Sequence, residues 1–594
     1  MFKFIKYLFI FVSVIFLINS CRKDDTITKP KPNQPPRTFL WIQTDTTQEL
    51  NPTISRQIIR WWGEDPDGLI RGYLFAYFNT DSVPPNTIPD TLGYSWVVKN
   101  DTAMAFPLFT ARERFTVIVR AVDNTFKEQL DVGAIVRLKP VPFWDKNMNK
   151  FLDNGDVELV TMKEAIDPTG AKQIFPIKNT PPVVEFAKDP LDPLKTIQQP
   201  DTTFPVATFS WVGTDLDGDQ TIKSYRINLN APNDTSRWFE FPAYNTMITI
   251  EAPRSKTDGA TGEVTANVYS GIFPTMFKIG EVQGLKLNDT NRIYLQAKDL
   301  AGDFSPVVSL PSGNKIWYVK KPTSKLLVVS NYGSADLPTI IGNYRNWFNA
   351  IDTFPGVSYP RNFGNFDWLD IRRGATDTKV GDLVPPILNP AMVRTLLLFD
   401  YVFWFTDYIP DTWAHMYSVA QFPLYLYNGA GGKVVYTTRF GYYLGDPRGS
   451  LVDFAPVDTV RTTLIDTRIP NDWPVYPDST YPSVLLPNPF PTMRFNPAPT
   501  QGGALSLFVR DIYKRADAKY ILKIPPVPGR VPPNAYWTGP VNIGVIDGAK
   551  TFVFLSMPLH LMNGTTKVWP DRPGEDGKGV PAFLKRVFID EFGG

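Results

Sequence analysis

Polar and apolar positions alternate through the first half of the chain and run together in the second. Residues 70–77 (IRGYLFAY), 114–123 (RFTVIVRAVD), Ile222–Leu229 (IKSYRINL) and 292–299 (RIYLQAKD) change polarity along the run, the pattern of strands with one buried face. From residue 325 the apolar runs become continuous: 325–330 (KLLVVS), 397–405 (LLFDYVFWF), 433–438 (KVVYTT) and 551–556 (TFVFLS). Strands buried on both faces read this way. Between them, residues 337–350, 416–428 and 580–588 have helical spacing, with Pro581 tolerated in the first turn of the last. The expected fold class is therefore multidomain: two all-β sandwiches followed by an α/β domain with a doubly wound, mostly parallel sheet. At roughly 150 residues per domain, 594 residues suit about three or four domains.

The first half repeats itself. Trp61-Trp62-Gly63-Glu64-Asp65-Pro66-Asp67-Gly68 and Trp211-Val212-Gly213-Thr214-Asp215-Leu216-Asp217-Gly218 both read W-x-G-x-D-x-D-G. Each copy opens on a proline pair, in Asn33-Gln34-Pro35-Pro36 and Asn179-Thr180-Pro181-Pro182, and each ends on a matching late strand with Ala then Asp, at Ala121 and Asp123 or Ala297 and Asp299. A tryptophan is large enough to plug the space between two sheets. The alignment makes Trp61 and Trp211 the core plugs and puts Trp62 on the opposite face. The Asp-Gly turns close hairpins, and their acids have two uses, capping their own backbone or holding calcium with Asp219 added in copy two. The pattern resembles fibronectin type III and related immunoglobulin-like modules, which implies spacers or binding platforms rather than enzymes. It covers residues 38–140 and 181–322, the second copy longer by an apparent insertion at 231–280.

Between the copies, in the linker 141–180, lies Asp145-Lys146-Asn147-Met148-Asn149-Lys150-Phe151-Leu152-Asp153-Asn154-Gly155-Asp156. It resembles the twelve-residue EF-hand or dockerin-type calcium loop, whose ligand places fall on Asp145, Asn147, Asn149, Phe151 (backbone carbonyl), Asp153 and Asp156. Lys150 replaces the turn glycine and Asp156 the bidentate glutamate, which weakens the match. No other cofactor is expected, and this stretch either holds calcium or is a polar linker loop.

Residues 323–594 resemble the class I glutamine amidotransferase-like, flavodoxin-like domain. The residues that carry this are the run ending Trp404-Phe405-Thr406-Asp407, the Gly432-Lys433-Val434-Val435-Tyr436 strand after a helix, and Phe554-Leu555-Ser556-Met557-Pro558-Leu559 near the end; a Pro-rich insertion lies near 445–500. The resemblance implies a nucleophilic cysteine on the turn after residues 433–438. Thr438-Arg439-Phe440-Gly441 stands there instead, so thiolate chemistry is lost and the domain reads as degenerate. His415 and His560 are read as structural. Ligands of such sheets sit outside the carboxyl ends of the strands, where Asn331, Tyr332, Ser334, Thr406, Asp407, Thr438 and Arg439 fall. Tyr332, Asp407, Thr438 and Arg439 are the expected ligand-binding set, unless Arg439 simply pairs with Asp407.

Composition sharpens these expectations. There are 61 Lys+Arg against 59 Asp+Glu, so no long-range field favours nucleic acid. Prolines number 56, well above the usual share of about 5%, which disfavours helices. Two histidines and one cysteine leave no disulfide and no thiolate zinc site. That cysteine is Cys21. It follows a basic start (Lys3, Lys6), a 12-residue apolar stretch from Tyr7 to Ile18, and Asn19-Ser20. The segment resembles a bacterial lipobox, which implies a signal peptide over 1–20 and lipidation of Cys21. Lys23, Asp24 and Asp25 resemble the surface-export signal of some Bacteroidetes lipoproteins. Residues 21–37 then form a lipid anchor and extended Pro-rich tether. The expected protein is a non-catalytic lipoprotein, held in the bacterial outer membrane by its lipid and exposed on the cell surface. Its partner is a polysaccharide or an envelope protein. The competing expectation is a surface hydrolase of glycans or peptides that uses acids of the α/β domain, signalled by two facing acids about 5–10 Å apart.

Overall fold

The computed structural model describes residues 32–42, 53–54, 56–84, 87–88, 93–106, 112–124, 134–136, 143–145, 157–158, 164–190, 192–333, 335–355, 357, 360–376, 379–406, 417–440, 450–461, 465–468, 473–495, 506–526, 540–562 and 579–593. The chain divides into two compact units, residues 1–180 and 181–594, with 216–221 and 300–302 grouped with the first. Among the described residues no helix is long and apolar enough to cross a membrane.

The first unit contains β1 (Arg37–Ile42), β2 (Arg56–Glu64), β3 (Ile70–Asn79), β4 (Ser95–Val97), β5 (Asp101–Ala105), β6 (Arg112–Asp123), β7 (Phe143–Asp145), β8 (Val157–Glu158) and β9 (Ala171–Lys178). One sheet has the order β1-β2-β5; the other runs β9-β6-β3-β4, with Thr53–Ile54 added beside β9. Alternate residues point inward, so Ile59 and Trp61 meet Tyr73, Phe75, Phe115, Val117, Val119, Phe175 and Ile177 in one core. Phe175 and Ile177 belong to β9, which lies in the stretch read as a linker yet pairs along β6 from Ala171–Val119 to Lys178–Arg112. The glycine of W-x-G serves a close approach between strands. A Cβ at Gly63 would stand 2.8 Å from the Ala121 Cβ, and one at Gly213 would run into the Tyr225 hydroxyl.

The second unit starts with the second sandwich: β10 (Val183–Phe186), β11 (Val206–Thr214), β12 (Ile222–Leu229), β13 (Phe239–Pro242), β14 (Met247–Glu251), β15 (Glu263–Ser270), β16 (Phe277–Lys286), β17 (Ile293–Asp299) and β18 (Val308–Leu310). Its sheets are β10-β11-β14-β15-β16 and β13-β12-β17-β18. Trp211, Tyr225 and Phe241 meet at the centre of its core. The extra length at 231–280 is not a loose insertion. β13 and β14 have counterparts in β4 and β5, while the antiparallel pair β15–β16 widens one sheet.

The remainder holds β19 (Leu326–Asn331), α1 (Leu337–Ile351), β20 (Asp367–Asp370), α2 (Leu388–Leu396), β21 (Tyr401–Thr406), α3 (Gln421–Gly429), β22 (Lys433–Thr437), β23 (Pro474–Pro477), β24 (Met493–Arg494), β25 (Lys519–Ile524), β26 (Val541–Ile546), β27 (Phe552–Leu555) and α4 (Gly579–Lys585). They build one sheet, β20-β19-β21-β22-β27-β26-β25-β23-β24. The first five strands are parallel to their neighbours. The last four join antiparallel, so the sheet is half parallel rather than mostly so. The Pro-rich stretch read as an insertion supplies β23 and β24 to the antiparallel half. Continuous apolar runs make both faces oily. Leu326, Val328, Phe403, Phe405 and Val553 pack with α1 and α4; Leu327, Val329, Val402, Trp404 and Tyr436 pack with α2 and α3. That second core continues into the sandwich of the same unit through Phe204 and Val206, with Phe204 edge-on to Phe399 at 5.1 Å.

Candidate functional site

Three of the five parallel strands end at Asn331, Thr406 and Thr437, where sequence reasoning placed a ligand crevice. The structure brings Tyr332, Thr438 and Arg439 to this end, and it packs two of them away. Tyr332 is buried, edge-on to His560 at 5.1 Å and against Phe405 at 6.1 Å. Thr438 is buried too; its hydroxyl shares a 2.9 Å hydrogen bond with the Thr406 hydroxyl, and its N–H donates to the Leu555 carbonyl at 3.0 Å. Phe440 belongs to the core on the other face. Arg439 is half-buried. Asp407 and His415 lie outside the described residues, so the Arg439–Asp407 pairing has no geometry to report.

His560 is the group this end of the sheet does present. It sits in the turn Leu559–Leu561 that follows β27. Its Nδ1 lies 3.1 Å from the Tyr344 hydroxyl, which also accepts the His560 backbone N–H at 3.2 Å. The arrangement that satisfies all three groups has the hydroxyl donating to Nδ1, which leaves the ring proton on Nε2. Burial pushes the imidazole pKa down to about 3; Asp336 opposes that shift and Arg439 adds to it. Burial likewise raises the Tyr344 phenol well above its usual range. A ring this weakly basic stays neutral at pH 7 and makes a poor general base. With Thr438 sealed in a hydroxyl pair and no thiol at hand, the described groups do not assemble an acyl-transfer centre.

Among the described residues acids are sparse here as well. Asp336 precedes α1, and Asp370 ends β20, where its carboxylate accepts from the Ser330 hydroxyl at 3.2 Å and the Arg372 N–H at 3.0 Å. Burial raises the Asp370 pKa against those bonds. A wider cleft of about 700 Å³ opens elsewhere in the second unit, lined by Asp189, Lys195, Gln199, Asp201, Lys379 and Asp382 among others. Two of its charges pair with each other, Lys379 with Asp382 at 2.5 Å, and Asp201 pairs with Arg373.

The turn acids of the repeat act on backbone. Asp65 accepts the Asp67 N–H at 3.2 Å, and Asp67 accepts the Gln34 N–H at 3.1 Å. In copy two, Asp217 accepts the Thr180 N–H at 2.7 Å. Gln34 and Thr180 each precede a proline pair, so the two conserved pieces of the repeat are one device: the second turn acid pins the chain entering the module. Among the described residues no three His, Cys, Asp or Glu side chains gather as metal ligands. Of the calcium-loop residues, Asp145 ends β7; Asn147, Asn149, Phe151, Asp153 and Asp156 lie outside the described residues. The antiparallel pairing of β7 with β8 brackets that loop. Cys21, Lys23, Asp24 and Asp25 also lie outside the described residues.

One concave place was missed from sequence. On the outer face of β1 and β2, Phe39, Trp41, Arg60, Trp61, Trp62 and Asn100 line a pocket of about 470 Å³. The available signal was the alternation Phe39-Leu40-Trp41 beside the outward Trp62. Only the pairing of β1 with β2 brings these rings together.

No family model matches the chain, and no curated protein matches it. Among solved structures, it matches the fibronectin(III)-like modules of Clostridium thermocellum CbhA at 10% identity, over 48% of this chain and 94% of that one, with a TM-score of 0.12. It matches the chicken CNTN1 FN1–FN3 domains at 9% identity, over 48% and 99%, with a TM-score of 0.14. The chicken interferon gamma receptor alpha chain matches at 5% identity, over 46% and 96%, with a TM-score of 0.15. Fibronectin type III-like modules, the class expected from the repeat, are thus among the structural neighbours. At TM-scores this low the case for two sandwiches rests on the strand pairing of this chain itself.

Proposed function

We propose that this chain is a non-catalytic lipoprotein, anchored through Cys21 in a bacterial outer membrane and exposed at the surface, that displays its sandwiches and C-terminal domain as binding modules. One observation carries the proposal: the single cysteine of 594 residues stands directly after a basic-then-apolar segment of secretory length. A chain bound for an oxidising space gains by carrying no other thiol. Two or three acyl chains, at roughly 0.8 kcal/mol per buried methylene, anchor stably. Lys23-Asp24-Asp25 supports surface exposure, and the Pro-rich tether supports display at a distance from the membrane. We read the C-terminal sheet, with helices on both oily faces, as a degenerate amidotransferase-like, doubly wound domain. The neutral His560 and the sealed Thr438 support a role without turnover. Calcium in the 145–156 loop belongs to the same reading, as a clamp on the β7–β8 connection.

Labelled palmitate tests the anchor. The wild-type chain should take up label and be cleaved by protease on intact cells. Cys21→Ala should lose the label and accumulate as precursor. Asp24→Ala with Asp25→Ala should keep the label and lose the protease access. Normal labelling of Cys21→Ala would sink the lipoprotein reading, and unchanged protease access in the double variant would sink the export reading.

A further inference from the structure

The outer face of the β1-β2-β5 sheet carries large aromatic side chains where a soluble sandwich needs none. Phe39 is 42% exposed, Trp41 64% and Trp62 60%. Pairing sets Phe39 opposite Trp62 and Trp41 opposite Arg60. The Phe39 and Trp62 rings meet edge to face at 5.3 Å and make one corner of the 470 Å³ pocket.

The second copy of the module is an internal control. Its β10–β11 pairing sets Glu185 opposite Val212 and Phe186 opposite Trp211, the register that sets Phe39 opposite Trp62 and Leu40 opposite Trp61. The positions of Phe39, Trp41, Arg60 and Trp62 thus hold Glu185, Ala187, Ser210 and Val212. The same sandwich closes without the aromatics, so the fold does not require them in copy one. The inward tryptophans are kept in both copies, as a core demands.

The polar groups of the pocket identify what fits. Arg60 is half-buried and carries no ion pair or side-chain hydrogen bond among the described residues, and the Asn100 side chain is equally unengaged. A guanidinium fork and an amide therefore stand ready beside bare indole faces. The ligand that complements this set has a flat apolar face and an edge of hydroxyls, which is the chemistry of a pyranose ring. Size argues the same way. Six described residues line this pocket, and its volume lies in the range of small-ligand sites, about 300–1,000 Å³. We infer that the outer face of the first sandwich is a carbohydrate-binding site, in which Phe39, Trp41 and Trp62 stack on sugar rings while Arg60 and Asn100 hydrogen-bond their hydroxyls.

This deepens the display reading above and rests on it only for biological context, because binding to a soluble glycan needs no acyl group. The test is affinity electrophoresis of the full chain in mild detergent through gels containing yeast mannan, xylan, amylopectin or polygalacturonate. The wild type should be retarded in at least one of them. Trp41→Ala with Trp62→Val, which installs the residues of copy two, should weaken that retardation about tenfold or more with the melting temperature nearly unchanged. Arg60→Gln should weaken it less and without unfolding. Equal retardation of wild type and double variant would overturn the site, as would no retardation of the wild type in all four gels. Sedimentation covers the other occupant: a wild-type dimer that the double variant abolishes would assign the face to a second copy and overturn the glycan. Normal palmitate labelling alongside any of these failures would leave the anchor reading standing.

Discussion

Replacing Trp61 by alanine removes a side chain that is 3% exposed and wedged against Tyr73 and Phe75, whereas the adjacent Trp62 gives up mostly solvent-facing surface. Trp61→Ala and Trp211→Ala should each cost about 3–5 kcal/mol, the range for emptying a large core site. Trp62→Ala should cost under about 1 kcal/mol, as surface changes do. Urea denaturation of the three variants checks this, and equal losses at Trp61 and Trp62 would refute the register. His560 makes a separate prediction. Its folded pKa is depressed to about 3, against 6.5 for an ordinary histidine. Below pH 6.5 the unfolded chain therefore takes up a proton that the folded chain refuses. Its contribution to stability is fully present above pH 6.5 and falls as the pH drops toward 3, by roughly 1.4 kcal/mol per unit at most. His560→Leu should flatten that part of the denaturation profile between pH 6.5 and 4.5. Parallel profiles for wild type and variant would mean that the folded ring titrates like a free one.

Among the elements, β9 shows where sequence reading succeeds and fails. The alternation was enough to locate β3, β6 and their partners in copy two, because a one-face-buried strand declares its period. β9 reads AKQIFPIK, with Pro176 inside it, and a proline demotes a run to linker unless it lies near a sheet edge. It does: among the described residues only the two-residue strand Thr53–Ile54 lies beyond it. The consequence is testable. Residues 32–180 should fold with a single cooperative transition, while residues 32–140 should stay unfolded, because they lack Phe175 and Ile177 and expose the edge of β6. Near-ultraviolet circular dichroism separates the outcomes, and a native-like spectrum from 32–140 would restore the linker reading. The half-antiparallel sheet escaped notice for a related reason. β23 and β24 are two to four residues long and sit among prolines, below the length at which periodicity carries information. At the candidate crevice, the burial of Tyr332 and Thr438 was hidden for another reason. Strand ends were placed correctly, but the turn carrying His560 closes over Tyr332 and Tyr344, a tertiary contact 216 residues apart in the case of Tyr344 that no local pattern reports.

Across the second unit, the sandwich keeps its own core and joins the C-terminal sheet through Phe204 and Val206, and a buried ion pair also spans that junction. Arg394 of α2 meets Glu251 of β14, the carboxylate almost wholly buried and the guanidinium mostly so. Burial raises the Glu251 pKa, and the Arg394 cation only partly offsets that. Such a pair adds little over well-packed apolar residues, but breaking it strands a charge, at a cost of about 3–5 kcal/mol. Arg394→Met should therefore destabilise the unit by that order at pH 7. Glu251→Leu with Arg394→Met should recover most of the loss. The sign of the pH effect in the single variant follows from linkage. Without its cation, Glu251 has a folded pKa further above its unfolded value, so the folded state binds the proton more readily. The penalty is then greatest above the folded pKa and shrinks as the pH falls through it, and it is gone below the unfolded value near 4.5. Guanidinium denaturation at pH 8, 7, 6 and 5 should show the Arg394→Met curve converging on the wild type, and the double variant should show no such convergence. If the single variant loses the same stability at every pH, the carboxylate is solvated in the folded state, and the junction rests on its other contacts, among them Phe204 on Phe399 and Asp201 with Arg373.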